Sequence, residues 1–259
     1  MADRSKTVFI TGGSTGIGAA AVRKFAAEGW NVAFADINEE AAAELVAATG
    51  KPGQLLFAVA DTRDRQAVTA AVDAAAERFG GIDSVFANAG IHRRNTLLDI
   101  TEEELDLMIQ TNIYGTFHTL RAAVPHLIKA GGGTVVINAS DQWYIGKAKS
   151  FGYGLTKGAL GQITRGLSID LGQYGIRVNA VCAGTVRTPL VDNLFRRLEA
   201  ADPAHVSAER LWAEENALYP RGRVGEPSEV AEVVYFLASD ASSFCTGGHY
   251  LVDGGLVAR

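Results

Sequence analysis

The 259-residue chain carries only two cysteines, Cys182 and Cys245, each inside an apolar stretch. There is no CxxC pair and no cysteine–histidine cluster, so no metal site is expected, and the thiol usage suits a reducing compartment. No run approaches about 18 apolar residues, so no segment is expected to span a membrane. The N-terminal stretch MADRSKTVFITGG mixes acids and bases ahead of a short apolar run. It lacks the apolar core and small-residue cleavage site of a signal peptide, and a cytoplasmic location is the expectation. Positive charge is not in excess either. Twenty-four Lys and Arg against 29 Asp and Glu leave a formal net charge of −5, which gives nucleic acid or an anionic membrane no general attraction. No internal repeat or linker-like tract divides the chain, and its six prolines are few.

Glycine is plentiful: 29 residues in a chain that is 47% hydrophobic and 20% charged. That is the make-up of a globular α/β domain with many tight turns. Thr7–Thr11 is a β-branched and aromatic run that reads as a buried strand. Gly12, Gly13, Gly16 and Gly18 follow at once, then a helix from Ala19 to Glu28 that Gly29 stops. A strand, a glycine loop and a helix start form the context in which helix N-terminal amides hold a pyrophosphate. The alternative is that these glycines only turn the chain. Asn31–Ala35 is a second strand ending at Asp36. An acid there, about 20 residues past the glycines, can accept both ribose hydroxyls of an adenosine and would repel a 2′-phosphate. With no base in the glycine loop and Ile37 after the acid, NAD is expected over NADP. Asp36 also reads as a helix cap ahead of Asn38-Glu-Glu.

Further strands are expected over 54–60, 82–87, 135–139, 176–183 and 249–252. Helices are expected over 39–49, 64–79, 101–129, 152–174 and 227–239, with a helical stretch over 190–219 broken at Pro203. Such alternation predicts one parallel sheet with helices on both faces and ligands beyond the carboxyl ends of the strands. Gly12–Gly18, Asp36, Asp61, Asn88–Gly90, Ser140 and Gly184–Thr188 all fall at such ends. Ser140 closes the fifth strand. Tyr153 and Lys157, four apart, share one helix face. An ammonium that close should draw the phenol pKa down from about 10 toward neutrality, making it a general acid or base for an alcohol or carbonyl oxygen.

Thr11-Gly-Gly-Ser-Thr-Gly-Ile-Gly18, Asn88-Ala-Gly90, Asn112, Ser140, Tyr153-x-x-x-Lys157 and Val252-Asp-Gly-Gly255, in this order, resemble the signature of the short-chain dehydrogenase/reductase family over nearly the whole chain. The resemblance implies a single Rossmann-type domain over residues 1–259, with a doubly wound, seven-stranded parallel sheet in the order 3-2-1-4-5-6-7. A helical substrate lid is expected at about 188–220. The resemblance also implies a nicotinamide cofactor and hydride transfer at a C–OH/C=O carbon. Phosphate-side contacts would come from Gly12, Ser14, Thr15, Gly16, Ile17 and Gly18. Asp36, Ile37, Asp61 and Thr62 would meet the adenosine; Asn88, Ala89 and Gly90 line the path onward. Gly184, Thr185, Val186 and Thr188 would meet the nicotinamide, with Tyr153 and Lys157 at its ribose. The family's catalytic tetrad maps onto Asn112, Ser140, Tyr153 and Lys157. Tyr153 would take the hydroxyl proton, Lys157 lower its pKa, Ser140 polarise the reacting oxygen, and Asn112 relay protons through a water. One departure stands out: where the family shows Pro-Gly after strand six, this chain has Ala183-Gly184.

Bases gather near the expected reaction centre: His92, Arg93, Arg94, Lys147, Lys149 and Arg187. Arg93, Gln142, Trp143, Lys147 and Arg187 are therefore the candidate substrate contacts, and a small polar, anionic or polyhydroxylated substrate such as a sugar, sugar acid or hydroxy acid is expected. The competing readings are an NADPH-dependent 3-oxoacyl-thioester reductase and a non-catalytic dinucleotide sensor or scaffold. The resemblance further implies a homotetramer, or a homodimer, built on the two long helices and the last strand. The tail Leu256–Arg259 would then reach toward a neighbouring subunit.

Overall fold

Strand β1 (Thr7–Thr11) is buried along its whole length, and its side chains feed two separate cores. Phe9 points into one cluster while Val8 and Ile10 point into the other. That alternation with both faces apolar is the mark of a strand covered by helices on each side. The computed structural model describes residues 4–258; Arg259 of the expected tail contact lies outside them.

Around β1 the chain runs as α1 (Gly16–Ala27), β2 (Asn31–Asp36), α2 (Glu39–Thr49), β3 (Leu55–Val59), α3 (Arg65–Phe79) and β4 (Ser84–Ala87). It continues through α4 (Glu102–Met108), α5 (Gly115–Ala130), β5 (Gly133–Asn138), α6 (Phe151–Gly172) and β6 (Ile176–Ala183). The last elements are α7 (Pro189–Ala201), α8 (Ala208–Leu218), α9 (Pro227–Ala238) and β7 (His249–Val252). The seven strands form one all-parallel sheet in the order β3-β2-β1-β4-β5-β6-β7, as expected. The order reverses at β1 and β4, and a crevice opens beyond the carboxyl ends there.

One face of the sheet is covered by α3, α5 and α6, whose Val68, Val72, Leu120, Leu127 and Leu160 meet Phe9, Val85 and Ile137. The other is covered by α1, α2 and α9 around Phe25, Phe34, Phe86 and Val234. Each fully buried side chain of this size contributes roughly 1.5–3 kcal/mol relative to exposure. A third, smaller cluster (Phe195, Trp212, Tyr219 and Val224) holds α7 and α8 together. The helix pair breaks at 202–207, where Pro203 stands.

One helix departs from the expected form. The segment opened by Thr101, whose side chain caps Glu104 N, does run to Ala130, but Ile109–Tyr114 between α4 and α5 is wound as a π-helix. Asn112 lies in that widened turn and is fully buried. Such widened turns free backbone groups and cluster at functional sites.

Candidate active site

The glycine loop after β1 is built for close approach. A side chain at Gly18 would place its Cβ 1.9 Å from the Gly12 carbonyl oxygen, and one at Gly13 would meet the Phe34 Cβ at 2.6 Å and its ring carbons at 2.9–3.0 Å. Gly12 and Gly16 sit at φ +65° and +54°, which glycine adopts without strain. The first amides of α1 are left open, because Thr15 makes no side-chain cap. The Ser14 hydroxyl is buried without a protein partner. Open amides, an orphaned hydroxyl and a cradle that a Cβ would fill suit the pyrophosphate of a dinucleotide.

Asp36 stands at the end of β2. Its Oδ2 accepts from Ser14 N at 2.9 Å and its Oδ1 from Asn38 N at 3.1 Å. Asn38, not Asp36, caps α2, through Ala41 N. The carboxylate therefore anchors the glycine loop and keeps lone pairs for hydroxyls in the crevice. Asp61 also borders the crevice, but Arg63 grips its carboxylate and draws its pKa down. The Asn88 side chain is taken up by the scaffold: Nδ2 donates to Thr11 O and Gly12 O, and Oδ1 accepts from Asn138.

These groups line one crevice of about 700 Å³, which also reaches Gly12, Thr15, Gly16, Ile17, Ile37, Thr62, Ala89, Gly90, Ser140, Tyr153 and Lys157. Gly184, Thr185, Val186 and Thr188 close its far end. The missing proline after β6 has a substitute. Tyr219 Oη accepts from Thr185 N at 2.6 Å, and Thr185–Arg187 pairs with Gly225 through two backbone hydrogen bonds.

At the centre, α6 presents Tyr153 and Lys157 on one face, with the ammonium 5.5 Å from the phenol ring centre. Lys157 Nζ donates to Asn138 O at 2.6 Å. Asn112 ties the π-turn to its surroundings: Oδ1 accepts from Ile91 N at 2.8 Å, and Nδ2 donates to Ile91 O and Thr156 Oγ1. A Cβ at Gly90 would lie 3.2 Å from Asn112 Oδ1 and 3.7 Å from Lys157 Nζ, so the bare backbone there is what lets both approach it. The expected lowering of the tyrosine pKa is reversed in the free protein. Burial pushes the Tyr153 phenol up, Asp141 adds to that, and a hydrogen bond with Ser140 opposes it. Burial also pulls Lys157 down to about 8. Both groups are enclosed, and desolvation outweighs their mutual attraction.

The candidate substrate contacts divide. Gln142 and Lys147 line the crevice. Trp143 does not: it stacks on His249, 5.2 Å between ring centres, and packs against Gly161. Arg93 folds back onto the His92 carbonyl. Arg187 lies over the Trp212 ring, 4.8 Å away, and lines a separate pocket with Asp192 and Arg196 between α7 and α8. Charge and aromatic content mark these positions in sequence, but their direction is set by the elements they pack on. His92, Asp141 and Glu215 also line the crevice. The His92 ring lies against Tyr153, 4.3 Å between ring centres and tilted by 38°, and burial followed by the charges of Arg94 and Lys147 pushes it down to about 4. Asp141 was legible only as the neighbour of Ser140. Glu215 reaches the crevice from α8, and nothing local in the sequence marks it.

The fold and much of the sequence recur in known proteins. A family model described as enoyl-(acyl carrier protein) reductase matches residues 12–257. Oxidoreductase UcpA of Salmonella typhimurium is 39% identical over 252 residues, covering 96% of this chain and 94% of the relative. The 2,5-dichloro-2,5-cyclohexadiene-1,4-diol dehydrogenase of Sphingobium indicum is 36% identical over 261 residues, with all of each chain covered. Among solved structures, levodione reductase superposes with a TM-score of 0.92 at 34% identity, over 98% of each chain.

Proposed function

Because the chain belongs to the short-chain dehydrogenase/reductase family and is an oxidoreductase of CH–OH and ketone substrates that uses a nicotinamide dinucleotide, we propose that it is an NAD-dependent dehydrogenase of a small polar secondary alcohol. The substrate is a sugar, sugar acid or hydroxy acid, or the matching ketone in reduction. The observation that carries this reading is the meeting of Ser140, Tyr153 and Lys157 in the crevice that the glycine loop and Asp36 open onto. Asp36 supports NAD, since its carboxylate faces the position a 2′-phosphate would occupy and would repel it.

When bound, the nicotinamide supplies the carbon that takes or gives the hydride. Tyr153 is the acid/base: as a phenol it donates to a carbonyl oxygen, and as a phenolate it takes the alcohol proton. Lys157 and Ser140 favour the phenolate, whereas burial and Asp141 favour the phenol. Oxidation therefore gains with rising pH. Ser140 orients the reacting oxygen, and Asn112, in its π-turn, holds the backbone beside Lys157 where a water can carry protons outward.

Residues 1–259 act as one catalytic domain in this reading, with α7 and α8 as a lid: Val191, Leu194, Phe195 and Leu218 give the crevice an apolar roof. A cytoplasmic homotetramer or homodimer built on α5, α6 and β7 is part of the same reading. It is supported by the exposure of Phe117, Leu155 and Ile169, the last 80% exposed. An NADPH-dependent 3-oxoacyl-thioester reductase is disfavoured by Asp36, and a sensor would have no use for the acid/base set. The test is a turnover screen of sugars, sugar acids and hydroxy acids with NAD and with NADP, read by absorbance of the reduced nicotinamide. Turnover that strongly prefers NADP, or is confined to acyl thioesters, would overturn the reading.

A further inference from the structure

The inner wall of the crevice carries a pair of opposite charges that the acid/base set leaves unexplained. Asp141 is 1% exposed. Its Oδ1 accepts the Ser140 hydroxyl at 2.9 Å, and its Oδ2 lies 2.8 Å from Lys147 Nζ. A lone buried carboxylate is costly, and a paired one much less so. Burial alone would lower the Lys147 pKa, but Asp141, then Tyr219 and Glu215, more than offset it and leave it raised. Lys147 is therefore an ammonium at neutral pH, with three donors. Asp141 faces it as an ion pair, and among the described residues no protein acceptor hydrogen-bonds to it.

The rest of the crevice carries both signs, with the Lys157 ammonium deeper in, beside Tyr153. Glu215 faces the crevice with its Oε2 accepting from Thr185 Oγ1 at 3.0 Å. His92 is a neutral imidazole, one donor and one acceptor, and Gln142 offers both. Lys147 is thus set against two carboxylates. Arg94 and Lys149 also line the crevice, but both are exposed, where water and salt screen them. A carboxylate substrate entering here meets Asp141 and Glu215. A hydroxyl, which both donates and accepts, finds a partner either way.

We propose that Lys147, held in place by Asp141, is a specificity-determining residue that donates to a second, uncharged oxygen of the substrate, so that the site selects neutral polyoxygenated alcohols over mono-alcohols and over hydroxy acids. This names the substrate class within the dehydrogenase reading above and rests on it.

The experiment compares kcat/KM with NAD for vicinal cyclohexanediol, cyclohexanol and lactate. Wild type is expected to favour the diol over cyclohexanol by about tenfold, the worth of one hydrogen bond to a charged donor, and to favour it over lactate. The double variant Lys147→Met, Asp141→Asn avoids stranding a buried charge, and NADH binding reports that it is folded. Its diol-to-cyclohexanol ratio should fall about tenfold, toward one. Lys147→Arg, which keeps a donor and the pairing, should retain most of the preference. A wild-type preference for lactate or cyclohexanol, or a ratio that the folded double variant leaves unchanged, overturns the proposal. Failure of wild type to oxidise any alcohol while binding NADH overturns the dehydrogenase reading itself, and the proposal with it.

Discussion

Ser140 donates a hydrogen bond from its hydroxyl to the Asp141 carboxylate, 2.9 Å away, inside the same crevice as Tyr153. That carboxylate raises the Tyr153 pKa. Removing its charge favours the phenolate. Lys157 and the neutral His92 also lie against the Tyr153 ring, and the Cys182 thiol, which burial pushes up to about 12, is near Lys157 and Asp141. Asp141→Asn should therefore move the rising limb of the pH profile for alcohol oxidation to lower pH. An unmoved limb in a folded variant would remove Asp141 from the acid/base balance.

Tyr153→Phe keeps the ring that packs against His92 and deletes only the hydroxyl. Turnover should fall by about 10²–10⁴-fold, the usual worth of a positioned acid/base. NADH binding, followed by fluorescence, should stay near the wild-type value. Turnover within a few-fold of wild type would assign the proton transfer elsewhere.

Asp36→Ala removes the carboxylate that anchors Ser14 N and faces the adenosine end of the crevice. Affinity for NADH should drop by about tenfold or more, as expected for hydrogen bonds to a charged acceptor. Discrimination against NADPH should relax at the same time. Titration of both reduced cofactors checks this, and an unchanged preference would place the selection on another residue.

His92 is neutral in the fold, at about 4 against an ordinary 6.5. Between those values the unfolded chain binds more protons than the folded one, so stability rises with pH through this window and is lost as pH falls through it. His92→Gln should flatten the pH dependence of the urea midpoint between about 4 and about 6.5. An equally steep dependence in the variant would mean that other groups control acid stability.

Element identity was legible wherever local pattern suffices. β6 is Ile176–Ala183 in both the reading and the structure, because a near-continuous apolar run has one stable home, a central parallel strand. The π-turn at Ile109–Tyr114 was not legible. It is held by Asn112 bonds to Ile91 and Thr156, residues 21 and 44 positions away. The fixing of the Ala183-Gly184 loop by Tyr219 and Gly225 is equally remote in sequence.

The residues themselves, by type and spacing, determined the doubly wound sheet, the glycine cradle, Asp36 at a strand end, and Tyr153 with Lys157 on one face. Each follows from a period or a terminus within a single element. Only the tertiary structure decided the electrostatics and the substrate wall. Enclosure turned the Tyr153 shift upward, because desolvation depends on what surrounds a group and not on what stands four residues away. Packing sent Arg93, Trp143 and Arg187 away from the crevice and brought Asp141 and Glu215 to it, beside the expected Lys147.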